Sequence, residues 1–309
     1  MSRKGKGHRM ERDSLLYKLR RKTQVAARYV LSDETLSKIY YRLVLSKTLH
    51  LKDPKTFNEK IQWLKLYYYP NDKNVIKATD KYTVRDYIKE KGYGRILNKL
   101  IGVWDDVNDI NWEQLPSQFV LKCTHGCAYN IVVSNKEEAN EKKIKKQLRK
   151  WQKEDFGNFN IEIHYSKIKS HRIICEEFLG DVITDYKFFC FNGKPQFIYV
   201  STDLIHDRQA HLGFFTLDGE KIPLKRDDYA DIEQMEKPPF FNDMYIAAKD
   251  LSQDFPFVRV DFFIANNTFY FAELTFTPGA GMMPFNPDSY DQEWGEMLHI
   301  EHLINNEDA

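Results

Sequence analysis

No apolar run in this chain approaches the roughly 20 consecutive residues that a transmembrane helix needs, so no membrane span is expected. The basic N-terminus is not followed by an apolar stretch, so no secretory signal is expected either. Cysteine is scarce, with only Cys123, Cys127, Cys175 and Cys190. Cys123 and Cys127 lack a zinc-like pair-of-pairs spacing, and the other two sit in apolar strand patterns, so all read as thiols in a reducing compartment. The phosphate-loop Walker signature and the Rossmann triple-glycine pattern are both missing. His125, His164 and His171 form no metal-ligand or triad spacing, so each reads as a core or surface histidine. There is no internal repeat and no low-complexity segment. From these absences a cytoplasmic chain is expected, and no nucleophile triad is in evidence.

What is present fits a packed globular protein. The chain has 309 residues, 42% of them hydrophobic and 29% charged, a length that suits two domains or one subdivided one. Aromatic content reaches 14%, with 18 Tyr and 21 Phe, which favours aromatic-rich strands over a helical bundle. The net charge is +1 but unevenly spread. Nine Lys/Arg lie in residues 1–22 against Glu11 and Asp13, leaving the remainder mildly acidic. Such an arm suits an anionic membrane surface or nucleic acid, or is a solvated tail or a helix docked on an acidic face.

The stretch Val258–Ala265, Asn266-Asn267-Thr268, Phe269–Thr275 reads as a β-hairpin. With a three-residue loop, Ala265 faces Phe269, Asp261 faces Glu273 and Arg259 faces Thr275. Val260 with Leu274, Phe262 with Ala272 and Ile264 with Tyr270 then share the other, apolar face. Facing carboxylates repel, by about 4 kcal/mol at about 4 Å and an effective dielectric near 20. A hard divalent cation with oxygen ligands would remove that cost. The alternative is that both acids are ordinary strand residues and Arg259 neutralises one of them.

Residues 33–112 look mainly helical. Thr56-Phe57-Asn58-Glu59 fits a capping box, and Phe57, Ile61, Leu64 and Tyr68 make an apolar stripe ended by Pro70-Asn71-Asp72. A second helix is expected from Thr79 to Lys91, closed by Gly92. Strands follow at Phe119–Cys123 and Asn130–Val133 around the loop Thr124–Tyr129. A capping box at Ser134–Glu137 is read as opening a charged helix to Lys153. Arg172–Leu179 reads as a strand carrying two acids. Hairpins are expected around Asn192-Gly193 and Asp218-Gly219, a helix over Asn242–Leu251 and a last helix over Asp288–Ile304.

Lys122 lies in an apolar strand before a loop containing Gly126, as a phosphate cradle or a snorkelling edge residue. Glu176 and Glu177 point to opposite faces of their strand. Either could accept from a base amino group or ribose hydroxyl, or be a surface acid paired with a lysine. Lys187 is a third cation in reach of the same cleft if the strands are neighbours.

In this order the pieces resemble the TupA-like branch of the ATP-grasp superfamily, linked to teichuronopeptide and capsular polysaccharide synthesis. The carrying stretches are Pro54–Lys65, Asp80–Tyr87, Phe119–Gly126, Asp185–Pro195, Val258–Phe262 and Glu273–Gly279. The resemblance runs from about residue 35 to 298. It implies an α+β ATP-grasp fold, two lobes with antiparallel sheets gripping ATP, preceded by a helical N-terminal region. The expected divisions are a basic arm 1–34, a helical region 35–115, a small lobe 116–179 with the phosphate flap and a large lobe 180–309 with the metal site.

Carried over by position, Lys81 and Lys122 look like the nucleotide-phosphate lysines, and 124–129, with His125 and Gly126, like the flap over the phosphates. Glu176 and the backbone at Leu179 resemble the adenine-holding hinge, with Glu177 the neighbouring alternative. Lys187 looks like a further phosphate contact with a catalytic part, as does Arg259, which would face the transferred phosphate. Asp261 and Glu273 match the Mg²⁺ ligands, for one or two ions with Mn²⁺ as substitute. Thr275 stands where many members carry an asparagine, and the flap reads His-Gly-Cys-Ala-Tyr where a serine and a further glycine are expected.

The implied activity is an ADP-forming carboxylate–amine ligase acting through an acyl phosphate on a bacterial surface polysaccharide or its precursor. Its implied partners are ATP, a carboxylate-bearing sugar or amino acid, an amine, and a membrane surface or synthesis complex met through the arm; nucleic acid is not expected. The location implied is cytoplasmic, peripheral to the inner membrane face. A glycosyltransferase, a sugar kinase and a non-catalytic scaffold remain alternatives, though Asp105-Asp106 and Asp227-Asp228 give the glycosyltransferase no strand-end acid pair.

Overall fold

The computed structural model of the chain describes residues 25–180, 183–202, 211–226 and 229–307. The basic segment 1–22 and Asp227-Asp228 lie outside the described residues. Helix α1 (Asp33–Leu45) is capped by Ser32, whose hydroxyl accepts the Thr35 N–H at 3.2 Å. Helix α2 (Phe57–Trp63) opens on the expected capping box. The Glu59 carboxylate takes the N–H groups of His50, Lys55 and Thr56, so one buried acid satisfies three backbone donors. All seven residues of α2 are buried. Phe57, Ile61 and Leu64 lie in the core, but Tyr68 leaves the stripe because the chain widens into a π-helical turn at Leu64–Tyr68. One extra residue per turn rotates everything after it.

The helix expected over Thr79–Lys91 breaks. Helix α3 (Lys73–Thr79) and helix α4 (Val84–Glu90) flank Asp80, which is extended at ψ 124°. The Asp80 carboxylate accepts the N–H groups of Tyr82 at 2.7 Å and Thr83 at 2.9 Å. A short polar side chain competing for nearby backbone is enough to interrupt a helix. Gly92 ends α4 at φ 86°.

Four strands form the smaller sheet: β1 (Leu100–Trp104), β2 (Phe119–Cys123), β3 (Asn130–Val133) and β4 (Ile173–Glu177), in the order β1-β4-β2-β3. All its pairings are antiparallel. Strand β1 comes from the stretch read as mainly helical. Its pattern Leu-Ile-Gly-Val-Trp is too short to declare a period. Ser134–Glu137 opens no helix, because Asn135 folds a turn of its own, accepting from Glu137 N–H and donating to Glu138. Helix α5 (Glu141–Gln152) starts later, capped by Asn140. The short helices α6 (Phe156–Asn160) and α7 (Ile163–Ser166) follow.

The larger sheet holds β5 (Thr184–Phe191), β6 (Lys194–Thr202), β7 (His211–Thr216), β8 (Lys221–Ile222), β9 (Ala230–Asp231), β10 (Phe257–Ala265) and β11 (Thr268–Thr275). Its order is β11-β10-β5-β6-β7-β8, antiparallel along this path, with β9 parallel to β7. Helix α8 (Phe241–Ser252) packs on β5, β6 and β10. The last expected helix divides into α9 (Ser289–Met297) and α10 (Glu301–Glu307). It divides because Lys60 takes the Leu298 carbonyl at 2.7 Å and the Asn192 side chain pairs with the His299 backbone.

Each sheet has its own core. Phe57, Phe189, Phe257 and Trp294 anchor the larger one, with Phe57 and Phe257 ring centroids 5.1 Å apart, edge to face. Phe119, Leu121, Cys175 and Leu148 centre the smaller one. Among the described residues no helix is long and apolar enough to cross a membrane.

The β10–β11 hairpin reaches the expected pairing by another route. Its turn has two residues, Asn266 and Asn267, at φ 51° and 57°, and Ala265 pairs with Thr268. Phe262 therefore faces Phe271 and Ile264 faces Phe269, not Ala272 and Tyr270. A bulge between Asp261 and Phe262 then shifts the register by one. Beyond it Asp261 faces Glu273 and Arg259 faces Thr275.

Candidate functional site

Side-chain alternation places Arg259, Asp261, Glu273 and Thr275 on one face of β10 and β11. Strand β5 lies on the other side of β10 and pairs Lys187 with Asp261, so Lys187, Asp261 and Glu273 form one rank across three strands. Phe189, Arg259 and Thr275 form the next. The Arg259 guanidinium holds Asp261 in a fork, Nε on Oδ1 at 2.7 Å and Nη2 on Oδ2 at 2.5 Å. The same Nη2 donates to the Thr275 hydroxyl at 3.1 Å and lies 3.7 Å from Glu273 Oε1. One cationic nitrogen thus sits at the meeting point of Asp261, Glu273 and Thr275.

Charge balance around this point differs between the two acids. Asp261 is 1% exposed, and burial pushes its pKa up against the pull of Arg259 and Lys187. Burial pushes Glu273 the same way, but Lys81, Arg259 and Lys187 outweigh it and hold the carboxyl below its ordinary value. Glu273 keeps 36% of its side chain exposed, so it is the acid that faces the cleft ionised. Burial works against charge on Lys187 too. Asp185 at 2.7 Å and Asp261 at 4.0 Å outweigh it and raise its pKa.

This geometry tests whether Mg²⁺ suits the site. Three oxygen donors of the type hard cations prefer already converge on a positive stand-in, Arg259 Nη2. Among the described residues no group of three or more His, Cys, Asp or Glu makes a full metal cage. Mg²⁺ seldom uses an all-protein cage, completing its shell with water and substrate phosphates. The residues fit an ion brought in with phosphate.

The smaller sheet supplies the facing wall. Lys122 on β2 and Glu176 on β4 share a face, with Nζ to Oε2 at 2.6 Å. Glu176 Oε1 accepts from Arg85 Nη1 at 2.9 Å, and Arg85 Nη2 donates to the Asn98 carbonyl at 2.6 Å. Lys81, presented by the helix break at Asp80, donates through Nζ to the Gly126 carbonyl at 2.6 Å, and its N–H to Thr124 O at 3.1 Å. A Cβ on Gly126 would stand 2.6 Å from the Tyr129 ring, so Tyr129 packs over this position only as long as it is glycine. Lys81, Lys122, Arg85 and Glu176 line a gap of about 20 Å³ against Phe271 and Ala272 of β11. By this measure a water needs roughly 10–15 Å³, so the gap has room for about one.

Other expected positions lie around this core. Glu177 is exposed on the opposite face of β4, and Leu179 is 8% exposed just after it. The His125 side chain points away from the gap. Its Nε2 meets the Trp151 carbonyl at 3.0 Å, and its ring stacks on His171 at 3.7 Å and 2°. Burial, then His171, lowers its pKa to about 4, so it is neutral near pH 7 and brings no charge to the loop 124–129.

Sequence reasoning missed a second layer. Arg85 lies in the stretch Asp80–Tyr87, yet nothing in the sequence singles it out. Lys65, on the π-helical turn, is 1% exposed and donates to the Ala280 carbonyl at 3.2 Å. Gln62 Nε2 donates to the same carbonyl at 2.9 Å. Glu162, 7% exposed, accepts from the Thr277 hydroxyl. These groups hold the loop just beyond Thr275, where Gly279, Ala280 and Gly281 are all left-handed at φ 59°, 55° and 72°. Their burial comes from three separate elements, so no local period announces it.

Comparison with known proteins follows this geometry. The family model described as TupA-like ATPgrasp matches residues 59–299. No curated protein matches the sequence. Among solved structures, D-alanine-D-alanine ligase from Helicobacter pylori is similar at TM-score 0.46 and 16% identity, covering 81% of this chain and 68% of that one. The Bacillus anthracis D-alanine–D-alanine ligase complexed with ATP gives 0.45 and 13%, covering 75% and 69%. The ADP complex of N5-carboxyaminoimidazole ribonucleotide synthetase gives 0.40 and 13%, covering 71% and 50%. At these TM-scores the likenesses carry no weight of their own, and the assignment rests on the family match. With that match over most of its length, the chain belongs to the TupA-like ATP-grasp family.

Proposed function

We propose that this ATP-grasp protein is an ADP-forming carboxylate–amine ligase that attaches an amino acid or amine to a bacterial surface polysaccharide or its precursor. The observation that carries the reading is the convergence of Asp261, Glu273 and Thr275 on one cationic point beside Lys187. The polysaccharide destination, and a place at the inner face of a membrane, follow from the branch that the sequence resembles.

In the proposed reaction a substrate carboxylate oxygen attacks the γ-phosphorus of ATP and ADP leaves. The amine nitrogen then attacks the acyl carbon of the acyl phosphate, inorganic phosphate leaves, and the nitrogen loses a proton to give the amide. Lys81, Lys122 and Lys187 neutralise the phosphates, and Arg259 turns from Asp261 to the transferring group. A Mg²⁺ ion held by Asp261, Glu273 and Thr275 would supply charge neutralisation. Catalysis of phosphoryl transfer is mostly positioning and electrostatics, which agrees with a site that has no protein nucleophile.

The test is a nucleotide-turnover screen with Mg²⁺, amino acids, uronic acids and amines. ADP and phosphate release that needs both a carboxylate and an amine supports the ligase. ADP release with a phosphorylated sugar would replace it by a kinase. The Asp261→Asn/Glu273→Gln variant is expected to lose turnover by at least about 10²-fold, the scale seen when one preorganised electrostatic contact is removed.

A further inference from the structure

Helix α5 carries more positive charge than its packing uses. Lys142, Lys143, Lys146, Arg149, Lys150 and Lys153 recur along it and its C-cap. At 3.6 residues per turn these side chains fall within about 120° of one another around the axis. Ile144, Leu148 and Trp151 take the opposite side and pack on the smaller core. All of the basic residues but Arg149 are exposed. Each lies three or four residues from another, and like charges at that spacing destabilise a helix. Opposite charges relieve little of this. Lys150 lies 3.9 Å from Glu154, and among the described residues Lys142, Lys143, Lys146 and Lys153 make no ion pair. The helix dipole accounts for cations in the last turn but disfavours Lys142 and Lys143 in the first. A solvated face needs charge of either sign, and this one has a single sign.

The stripe runs about 17 Å at 1.5 Å per residue. It ends at an open cavity of about 450 Å³, a size typical of ligand sites. Arg149 and Lys153 belong to both, and Lys169, Asp105, Asp106 and His171 continue the wall. The wall is braced by hydrogen bonds. Gln152 Nε2 donates to the carbonyls of Asp105 and His171, both at 2.9 Å, and Arg149 Nη2 donates to Asn108 Oδ1 at 2.9 Å. Leu121 and Cys175 of the smaller sheet pack toward α5, whereas Lys122 and Glu176 line the gap to β11. Stripe and cleft therefore lie on opposite faces of that sheet. Cations alone would suit any polyanion, and Asp105 and Asp106 select among them. Carboxylates accept from sugar hydroxyls but repel the phosphates of a nucleic acid. A chain of sugars bearing carboxylates answers both features.

We infer that the basic stripe of α5 and the cavity at its end bind an acidic polysaccharide, at a site separate from the nucleotide cleft. His171 at the cavity stacks on His125 at 3.7 Å, which brings this site within one pair of rings of the loop 124–129. That the bound chain is also the one modified in the cleft rests on the ligase reading; the site itself does not.

The experiment is fluorescence-anisotropy titration of the full chain, without nucleotide, against labelled polygalacturonate, uncharged dextran and single-stranded DNA, at low and high salt. Binding is expected to polygalacturonate and not to dextran, and to weaken as salt rises. The Lys142→Gln/Lys146→Gln/Lys153→Gln variant is expected to bind polygalacturonate at least about fivefold more weakly, because it loses three exposed ion pairs of modest individual strength. Residues 1–22 are the same in both chains, so the difference belongs to the stripe. Glutamine matches lysine in helix propensity and removes like-charge repulsion, so the thermal midpoint is expected not to fall. No binding of polygalacturonate by the parent overturns the proposal, as does unchanged binding by the variant. A lower midpoint in the variant overturns it too, since these lysines would then serve the fold. A larger loss for DNA than for polygalacturonate would reassign the stripe to nucleic acid. With no nucleotide present, a failure of the ligase reading leaves each of these outcomes as it stands.

Discussion

Lys65 and Glu162 are charged groups taken out of water with few compensating bonds, and that makes them sensitive to pH. Burial pushes the Glu162 carboxyl up to about 7, with the Thr277 hydroxyl and Lys65 pulling the other way. Burial pushes Lys65 down to about 8, against Glu162. For Glu162 the folded state holds its proton between the ordinary 4.5 and about 7 while the unfolded chain releases it. Its contribution to stability therefore falls as pH rises through that window. His164, lowered to about 3 by burial, acts oppositely below 6.5, so the comparison must be with a variant that isolates Glu162. Glu162→Gln is expected to gain stability relative to the parent as pH rises from 4.5 to 7 and to hold that gain above it. Urea midpoints across the range check this, and a constant difference would contradict it. Residue-scale legibility follows the same physics. Lys122, Glu176, Lys187, Asp261 and Glu273 stand out in sequence because a charge inside an apolar strand demands a partner. Lys65, Arg85 and Glu162 sit in helices and loops, where a charge looks ordinary until tertiary packing closes over it.

Local elements were readable where a rule concerned neighbouring residues, and misread where long-range contacts decided. The Thr56–Glu59 capping box and the Asn192-Gly193 turn formed as expected. The break at Asp80 did not announce itself, yet it presents Lys81 to the Gly126 carbonyl. The β10–β11 hairpin combined a wrong loop length with an unforeseen bulge, and the two cancel where the acids face each other. Its two-residue turn, with both asparagines left-handed, predicts opposite outcomes for two substitutions. Asn267→Gly is expected to be neutral or to stabilise by a few tenths of a kcal/mol, because glycine takes positive φ without penalty. Asn267→Val is expected to cost about 1–2 kcal/mol, the price of forcing a β-branched residue left-handed. Equal thermal midpoints for the two variants would contradict the turn assignment.

At the scale of the whole molecule, the site exists only where the two sheets face each other. Asp261, Glu273, Arg259 and Lys187 belong to the larger sheet, and Lys122 and Glu176 to the smaller. The gap between them has room for about one water, so the lobes are expected to move when a nucleotide binds. A ligand that binds only the folded, parted form stabilises it by about 2.7 kcal/mol at a hundredfold excess over Kd, so nucleotide should raise the thermal midpoint. The central claim is that Asp261, Glu273 and Thr275 form a cation site loaded with the nucleotide's phosphates. Titration calorimetry with a nonhydrolysable ATP analogue, with Mg²⁺ and with chelator, for the parent chain and Glu273→Gln, tests it most directly. The account predicts that Mg²⁺ tightens binding to the parent by at least about tenfold, one good charge-assisted contact, and that the variant loses this tightening. Equal Mg²⁺ dependence in parent and variant would contradict it.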